Sequence, residues 1–357
     1  MAPNGVSAQP LPARAVVVRV ADSLAKAFLD ANNAPSVAIA VVRGGDTLVM
    51  RAWGKADLEQ DVDATAQTVY RIGSVTKQFT SATVMQLFER GAFKLDDSIG
   101  TYLPALPAAW HAVTVRQLLN HTSGIPSYTD VGMSWVRRWG EIMMPDTLVA
   151  LTANKPLKFP SGTKWEYNNT GYVILGMLIE KLTGHAWADE IETRFTKPLG
   201  LTSTRNCLAG PVIKHRAHGY EREANAWINT SYLEMTQPYA AGAMCSTIVD
   251  LTRWNQALHN GHVVTAASYA LMTTPEGAAA LGTLKYGFGL ARDTIAGRTI
   301  IAHGGGIPGF ITGNAYVPGA QLSITVLTNG GRAKSNDLLN HLMRLALGLP
   351  FKSLPKP

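Results

Sequence analysis

The stretch YRIGSVTKQFTSATV, residues 70–84, opens a long apolar segment in which a serine precedes a lysine by three positions. The pair is Ser74 and Lys77, and the segment follows Gly73 and ends near Gly91. This composition predicts a helix that is buried in the protein interior. Residues three apart on a helix have Cβ atoms about 5–6 Å apart, so both side chains can enter one pocket.

The spacing alone does not identify a catalytic pair, because the same pattern occurs four times in the chain. One of the other pairs is predicted to lie solvated on an amphipathic helix. Another follows a proline and includes a glycine, which indicates a turn, and the last contains a proline near the C-terminus. These three pairs are Ser23/Lys26, Ser161/Lys164 and Ser353/Lys356.

A lysine in the first turn of a buried helix changes the chemistry of a neighbouring serine. Loss of water and the positive end of the helix dipole both disfavour the charged form of Lys77, so we expect its pKa to fall. The neutral amine could then accept the proton of Ser74, and the backbone N–H groups at the helix start suit a developing oxyanion. In the alternative interpretation, Ser74 only caps the helix and Lys77 pairs with a carboxylate.

The pattern along the chain predicts a sheet that is built from both ends. An amphipathic helix at 13–31 precedes two β-branched strands around a turn at 43–46, helical periods dominate the middle, and strand patterns return before a final helix. We therefore predict an α+β fold: an antiparallel β-sheet flanked by helices, with an inserted, mostly helical domain. The predicted division is 1–73 with 286–357 for the sheet domain and 74–285 for the helical domain, with the active site in the cleft between them.

Two further segments supply candidate companions for Ser74. KWEYNNTGYVILG places Tyr167 and Asn169 two apart before a predicted helix, and IIAHGGGIPGF places His303 at the end of a strand. Taken singly, the tyrosine could line a pocket wall, the asparagine could cap the helix and the histidine could lie at a sheet edge. Three glycines follow the histidine: Gly304, Gly305 and Gly306.

The order S-x-x-K, Y-x-N and H-x-G resembles that of the serine β-lactamase and penicillin-binding protein superfamily, most closely the class C β-lactamases and the related esterases and D-aminopeptidases. LLNHTSGIPSY (118–128) and GAMCSTIVDLTRWNQALHNG also look like landmarks of that family. The resemblance covers nearly the whole chain. It implies an acyl-enzyme serine hydrolase without a cofactor or metal.

The resemblance also implies a role for each motif residue. Glycines after the histidine would let a substrate carbonyl approach the strand backbone. The tyrosine anion, or a proton shared with the lysine and histidine, would be stabilised by these neighbours, so the three would titrate together. The implied roles are nucleophile for Ser74, activating partner for Lys77, general base or proton shuttle for Tyr167, acyl-side hydrogen bonding for Asn169, the position of the usual lysine for His303, and oxyanion hole for the amides of Ser74 and Gly306.

The sequence departs from the family pattern where a lysine and a hydroxyl residue usually help to hold the substrate carboxylate. His303 and Gly304 stand there, which weakens the case for efficient β-lactam turnover; Arg332 either replaces the lost contact or is an ordinary solvated loop residue. We therefore predict hydrolysis of carboxylic esters or small amides. The alternatives are a D-alanyl-D-alanine carboxypeptidase or true class C β-lactamase, and a non-turnover β-lactam-binding sensor.

Composition limits the other possibilities. The net charge of +7 comes from scattered Lys and Arg residues, so no nucleic-acid partner is predicted, and the apolar runs are too short for a membrane span. Cys207 and Cys245 are compatible with a disulfide or, as we favour, with two buried thiols. No signal peptide is visible, although the Pro- and Ala-rich opening suggests a trimmed exported protein, so we expect a periplasmic or secreted location, otherwise a cytoplasmic one. The sequence does not predict the oligomeric state.

Overall fold

The computed structural model of the protein describes residues 11–350. The Pro- and Ala-rich opening at 1–10 and the pair Ser353/Lys356 therefore lie outside the described residues. Fourteen strands occur in the described part of the chain. They are β1 (Ser36–Arg43), β2 (Asp46–Asp57), β3 (Val62–Asp63), β4 (Tyr70–Arg71), β5 (Arg205–Asn206), β6 (Tyr220–Glu223), β7 (Ala226–Asn229), β8 (Met244–Ser246), β9 (Lys285–Tyr286), β10 (Ala291–Ile295), β11 (Arg298–Ala302), β12 (Gly305–Ile307), β13 (Phe310–Val317) and β14 (Leu322–Thr328).

Thirteen α-helices accompany these strands within residues 11–350. They are α1 (Arg14–Asp30), α2 (Thr76–Glu89), α3 (Ile99–Tyr102), α4 (Val115–Leu119), α5 (Met133–Val136), α6 (Pro145–Ala150), α7 (Asn169–Thr183), α8 (Trp187–Ile191), α9 (Tyr239–Gly242), α10 (Ile248–His259), α11 (Ala266–Thr273), α12 (Ala278–Leu281) and α13 (Ser335–Ala346). Most lie between β4 and β9, so the middle of the chain is largely helical, as the sequence predicts. No helix among the described residues is long and apolar enough to cross a membrane.

Nine strands from the two ends of the chain form one antiparallel sheet, in the order β3-β2-β1-β14-β13-β11-β10-β9, with β12 paired to β13. The predicted hairpin is present: Arg43 pairs with Asp46, and Gly44 and Gly45 make the turn with φ of 56° and 89°. Positive φ at both turn residues suits glycine, which has no Cβ to clash. The α+β fold predicted from the sequence is confirmed.

Alternation along β1 divides the interior into two cores. Val37, Ile39 and Val41 face the core that α1 and α13 cover, whereas Ala38 and Ala40 belong to the core shared with the middle of the chain. Successive side chains of a strand point to opposite faces, so one strand supplies both cores. The sheet is therefore covered on both faces, and its late strands lie against the helix that carries Ser74.

Some short elements of the middle segment were not predicted. A three-stranded sheet, in the order β4-β8-β5, and a hairpin of β6 with β7 interrupt the helices. These strands have two to four residues, too few to show a period in the sequence. The first of these sheets matters for function, because β4 leads directly into the turn that carries Ser74.

Candidate active site

Ser74 lies in a short 3₁₀ turn, Gly73–Val75, which continues into α2. The turn is anchored to β8, because the Ile72 N–H donates to the Met244 carbonyl over 3.0 Å, and the Thr76 hydroxyl accepts from the Met244 N–H over 3.1 Å. The predicted helix therefore begins two residues later than Ser74. The serine is half-buried at the end of a cleft, whereas α2 behind it is almost entirely buried.

Lys77 is completely buried and points back at the serine, with Nζ 3.2 Å from Ser74 Oγ. Nζ also lies 2.8 Å from Asn169 Oδ1 and 2.8 Å from the carbonyl oxygen of Ala241. Both of these partners are acceptors, and no carboxylate pairs with Lys77 among the ion pairs of residues 11–350. The alternative of a lysine paired to a carboxylate is therefore wrong.

Three oxygen atoms surround Nζ, and the pKa of the amine decides how it bonds to them. Burial holds the pKa of Lys77 well below its usual value, because the charged form has lost its water. In the neutral form, the two N–H groups would donate to Asn169 and Ala241, whose oxygens can only accept, and the lone pair would face Ser74 Oγ. The geometry thus suits transfer of the Ser74 proton to Lys77.

Tyr167 lies next to this pair, with its ring centroid 4.7 Å from Lys77 Nζ. Its hydroxyl is buried and has no hydrogen-bond partner of normal geometry within residues 11–350. Burial raises the pKa of Tyr167, and the neighbouring Ser74 hydroxyl offsets only part of that rise. The raised pKa disfavours the predicted tyrosine anion, since a neutral amine gives the anion no countercharge, whereas the predicted shared proton stays a prediction. Tyr167 therefore keeps its proton at neutral pH.

Asn169 begins α7, and the asparagine before it makes the helix cap. Asn168 Oδ1 accepts from the Gly171 N–H over 2.6 Å, so the predicted alternative of a cap at Asn169 is wrong by one residue. Because Asn169 does not cap the helix, its side chain can accept from Lys77 through Oδ1 and donate to Thr129 Oγ1 through Nδ2 over 3.2 Å. These bonds fix the amide, and Nδ2 retains a second hydrogen for a ligand.

His303 follows β11 and is held by both ring nitrogens. Nδ1 lies 2.6 Å from the Gly304 carbonyl, which must accept, so Nδ1 carries the proton and Nε2 accepts from the Tyr286 hydroxyl over 2.7 Å. Burial lowers the pKa of His303 to about 3, and the imidazole is neutral at physiological pH. A neutral ring supplies no positive charge to Tyr167, so any part of His303 in the predicted joint titration would come from hydrogen bonding alone.

The three glycines after His303 do different things. Gly304 and Gly306 are exposed and line the cleft, whereas Gly305 is buried. A Cβ on Gly305 would lie 2.0 Å from the Ile72 carbonyl oxygen, and one on Gly73 would lie 3.0 Å from the Gly306 nitrogen. Because neither Gly305 nor Gly73 has a side chain, β12 can pack against the Ser74 turn. The Gly306 amide is thereby brought beside the nucleophile.

The cleft has a volume of about 820 Å³ and extends from Ser74 and Tyr167 to the C-terminal half of α13. Lys285, Arg292 and Arg344 lie along it, but Arg332 is not among its lining residues and is exposed. The proposed substitution of Arg332 for the lost anion contact is therefore not supported.

The remaining sequence candidates lie elsewhere. Ser23 and Lys26 are exposed, as predicted, and the Ser161 hydroxyl donates to the Ser123 carbonyl instead of contacting Lys164. Both cysteines are free and buried, as we favoured. Among the described residues, one group brings possible metal ligands within 4.8 Å of one another without lining the cleft: Asp57, Glu59 and His218.

Sequence reasoning missed several residues that hold the site together. Tyr286 and His121 come from segments with no motif of catalytic type, and the Ala241 contact is a backbone carbonyl, which no residue identity can reveal. The ring of His121 lies 4.4 Å from that of Tyr167 and 4.5 Å from that of Tyr286. The only signal in the sequence was the landmark segment that contains His121.

Comparison with known proteins identifies relatives over most of this chain. Penicillin-binding protein 4* of Bacillus subtilis is 31% identical over 77% of this chain and 63% of its own length. A D-aminopeptidase of Gluconobacter oxydans is 25% identical over 89% of this chain and 60% of its own, so the chain spans less than two thirds of either relative. The crystal structure of a D-stereospecific amidohydrolase from Streptomyces sp. superposes with a TM-score of 0.79 and 28% identity, covering 92% of this chain and 98% of that one. Residues 21–348 match the Beta-lactamase family, to which this chain belongs.

Proposed function

We propose that the protein is a serine hydrolase that cleaves carboxylic amides or esters through an acyl-enzyme on Ser74. The observation that carries this proposal is the set of contacts around Lys77 Nζ, which lies 3.2 Å from Ser74 Oγ and 2.8 Å from two oxygens that can only accept, Asn169 Oδ1 and the Ala241 carbonyl. A serine hydroxyl is a weak nucleophile unless a base removes its proton. Here a buried, neutral amine is already in place as that base.

In the first half-reaction, Ser74 Oγ attacks the substrate carbonyl carbon while its proton passes to Lys77 Nζ. The carbonyl oxygen becomes an oxyanion, which the amides of Ser74 and Gly306 would bind. Breaking the bond from carbon to the leaving nitrogen or oxygen requires a proton on that atom. Tyr167 would supply it through its hydroxyl and recover a proton from the Lys77 ammonium, so the ester on Ser74 forms without net loss of a proton.

In the second half-reaction, water attacks the same carbonyl carbon and gives a proton to the neutral Lys77 amine, either directly or by way of the Tyr167 hydroxyl. The bond to Ser74 Oγ breaks, the serine regains its proton, and the carboxylic acid leaves. Asn169 would hold the Lys77 amine in place through Oδ1 and bond the acyl side of the substrate through its second Nδ2 hydrogen. His303 stays neutral and does not transfer a proton in this scheme.

Among small amides, we favour substrates with a D-configured residue. The amidohydrolase whose structure superposes on this chain over 98% of its own length is named D-stereospecific. A relative by sequence is named D-aminopeptidase. Hydrolysis of D-amino-acid amides is a narrower form of the prediction made from the sequence. Esters and β-lactams are the comparison substrates, and no nucleic-acid partner is proposed. A periplasmic or secreted location is still a prediction.

The test compares Ser74→Ala with Ser23→Ala, a matched control that removes a serine from the same S-x-x-K spacing on the exposed face of α1. Both variants and the parent protein are assayed with D- and L-phenylalanine amide, p-nitrophenyl butyrate and nitrocefin. Ser74→Ala should lose activity on every substrate that the parent cleaves, while Ser23→Ala should retain it. Equal activity in both variants would remove Ser74 from the mechanism.

The sensor alternative makes a different prediction with the same substrates. A sensor would release one equivalent of product per protein from nitrocefin and then stop, because its acyl-enzyme is not hydrolysed. A true β-lactamase would turn nitrocefin over faster than the amides and esters. The structure favours neither, because Gly304 leaves the carboxylate position without a hydroxyl group.

A further inference from the structure

The segment LLNHTSG, residues 118–124, has no part in the chemistry proposed above, yet its histidine lies beside the reacting groups. His121 follows the end of α4 and is completely buried, with its ring packed on that of Tyr167. We propose that His121 is a positioning residue that fixes Tyr167 for proton transfer to the leaving group. This inference rests on the proposed hydrolase function.

His121 accepts two hydrogen bonds, one from the residue before Tyr167 and one from the residue after it. The Glu166 N–H donates to the His121 carbonyl over 3.0 Å, and the Asn168 N–H donates to His121 Nδ1 over 3.2 Å. These two amides stand immediately before and after Tyr167. One residue therefore fixes the backbone on both sides of the tyrosine, and its ring also supports the tyrosine ring at a centroid distance of 4.4 Å.

The backbone at His121 is shaped for this double contact. Its φ of 63° lies in the left-handed region, which is uncommon for a residue other than glycine and persists only where the surroundings hold it. The chain turns back there after α4, so that the carbonyl and the side chain of the same residue reach the loop 166–168. A histidine that only filled the core would pack its ring and would not need both hydrogen bonds to the loop 166–168.

The tautomer of His121 follows from the same contacts. Because Nδ1 accepts from an amide, the ring proton lies on Nε2, which has no hydrogen-bond partner within residues 11–350. Burial, with smaller effects from Lys77 and His303, lowers the pKa of His121 well below its usual value. The ring stays neutral, and Nδ1 stays available as an acceptor.

His121→Leu removes the acceptor Nδ1 and puts an apolar side chain of similar size in its place. We expect kcat for the best substrate to fall about 10- to 100-fold, since a catalytic group that is misplaced by about 1 Å can cost 10²-fold. KM should stay within about threefold, because Tyr167 acts on the leaving group and not on ground-state binding. His121→Asn should restore kcat to within about fivefold, because its Oδ1 can replace Nδ1 and asparagine tolerates a left-handed backbone.

The decisive measurement is a double-mutant cycle of His121→Leu with Tyr167→Phe. If His121 acts through the tyrosine hydroxyl, the variant that carries both substitutions will be no slower than Tyr167→Phe alone. Additive losses, or an unaltered kcat in His121→Leu, would overturn the inference. Should the leucine variant not fold, His121→Gln takes its place, because its acceptor lies one methylene group further out. If Ser74→Ala and Tyr167→Phe are both fully active, the proposed function fails instead, independently of His121.

Discussion

The hydrogen bond from Lys77 Nζ to Asn169 Oδ1 offers a way to change the charge of the proposed base without altering its shape. In Asn169→Asp, a carboxylate oxygen would take the place of Oδ1, 2.8 Å from Nζ. At an effective dielectric constant of about 20, two unit charges at that distance attract by about 6 kcal/mol. The cost of burying both charges offsets part of this attraction, and we take about half as the net effect.

A net effect of about 3 kcal/mol corresponds to about two pH units, at 1.36 kcal/mol for each unit. The sign follows from the mechanism: the base works as a neutral amine, which is populated above its pKa. The carboxylate raises the pKa of Lys77, so activity should be lost from the acid side. We expect the acid limb of kcat/KM to move about two units toward alkaline pH, with about a 100-fold loss at a fixed pH on that limb.

The assay is the pH dependence of kcat/KM on a D-amino-acid amide. Thr129→Val serves as the control, because it removes the partner of Asn169 Nδ2 without adding a charge, and its acid limb should stay in place. A pH-independent fall in rate in Asn169→Asp, with the acid limb unmoved, would refute the assignment of Lys77 as a neutral base.

Three other predictions follow from single residues. Tyr167→Phe should lower kcat by about 10²- to 10⁴-fold, which is the usual share of acid–base catalysis. Its stability in a denaturant titration should stay within about 1 kcal/mol of the parent, because the lost hydroxyl has no hydrogen-bond partner among residues 11–350. A near-normal rate would move the role of Tyr167 to Lys77. Gly304→Thr should raise nitrocefin turnover relative to ester turnover, whereas Gly304→Ala, which adds only a Cβ, should not; an unchanged ratio in both would mean that carboxylate binding does not limit nitrocefin turnover. A thiol reagent should detect Cys207 and Cys245 only after denaturation, because both are buried and free; a reaction with the native protein would contradict that burial.

The order of the large elements could be predicted because each has a period or a turn signal in the sequence. The hairpin of β1 and β2 has β-branched strands and a Gly-Gly turn, and α7 ends at Gly184 with a φ of 75°. The short strands β5 and β8 could not be predicted, because two or three residues carry no period. Their positions are fixed by pairing in the folded chain, where β8 lies between β4 and β5.

At the site, the sequence was sufficient to predict those catalytic groups whose contact depends on local spacing. Ser74 in the 3₁₀ turn and Lys77 in the first turn of α2 are three residues apart, and burial of α2 could be inferred from its composition. The charge states of Tyr167 and His303 could not be inferred, because they depend on burial and on partners distant in the sequence. Tyr286 is the clearest case: it lies on β9, and its hydroxyl donates to Nε2 of His303 on a segment 17 residues away.

The central claim is that Ser74 Oγ becomes a nucleophile because the buried Lys77 amine is neutral. The most direct test is to mix the protein with p-nitrophenyl butyrate, quench in acid within milliseconds, and locate any added mass by peptide mapping. We expect a butyryl group on Ser74 in the parent protein and none in Lys77→Met, in which the base is absent. A butyryl group on another residue, or equal acylation of Ser74 without the lysine, would contradict that claim.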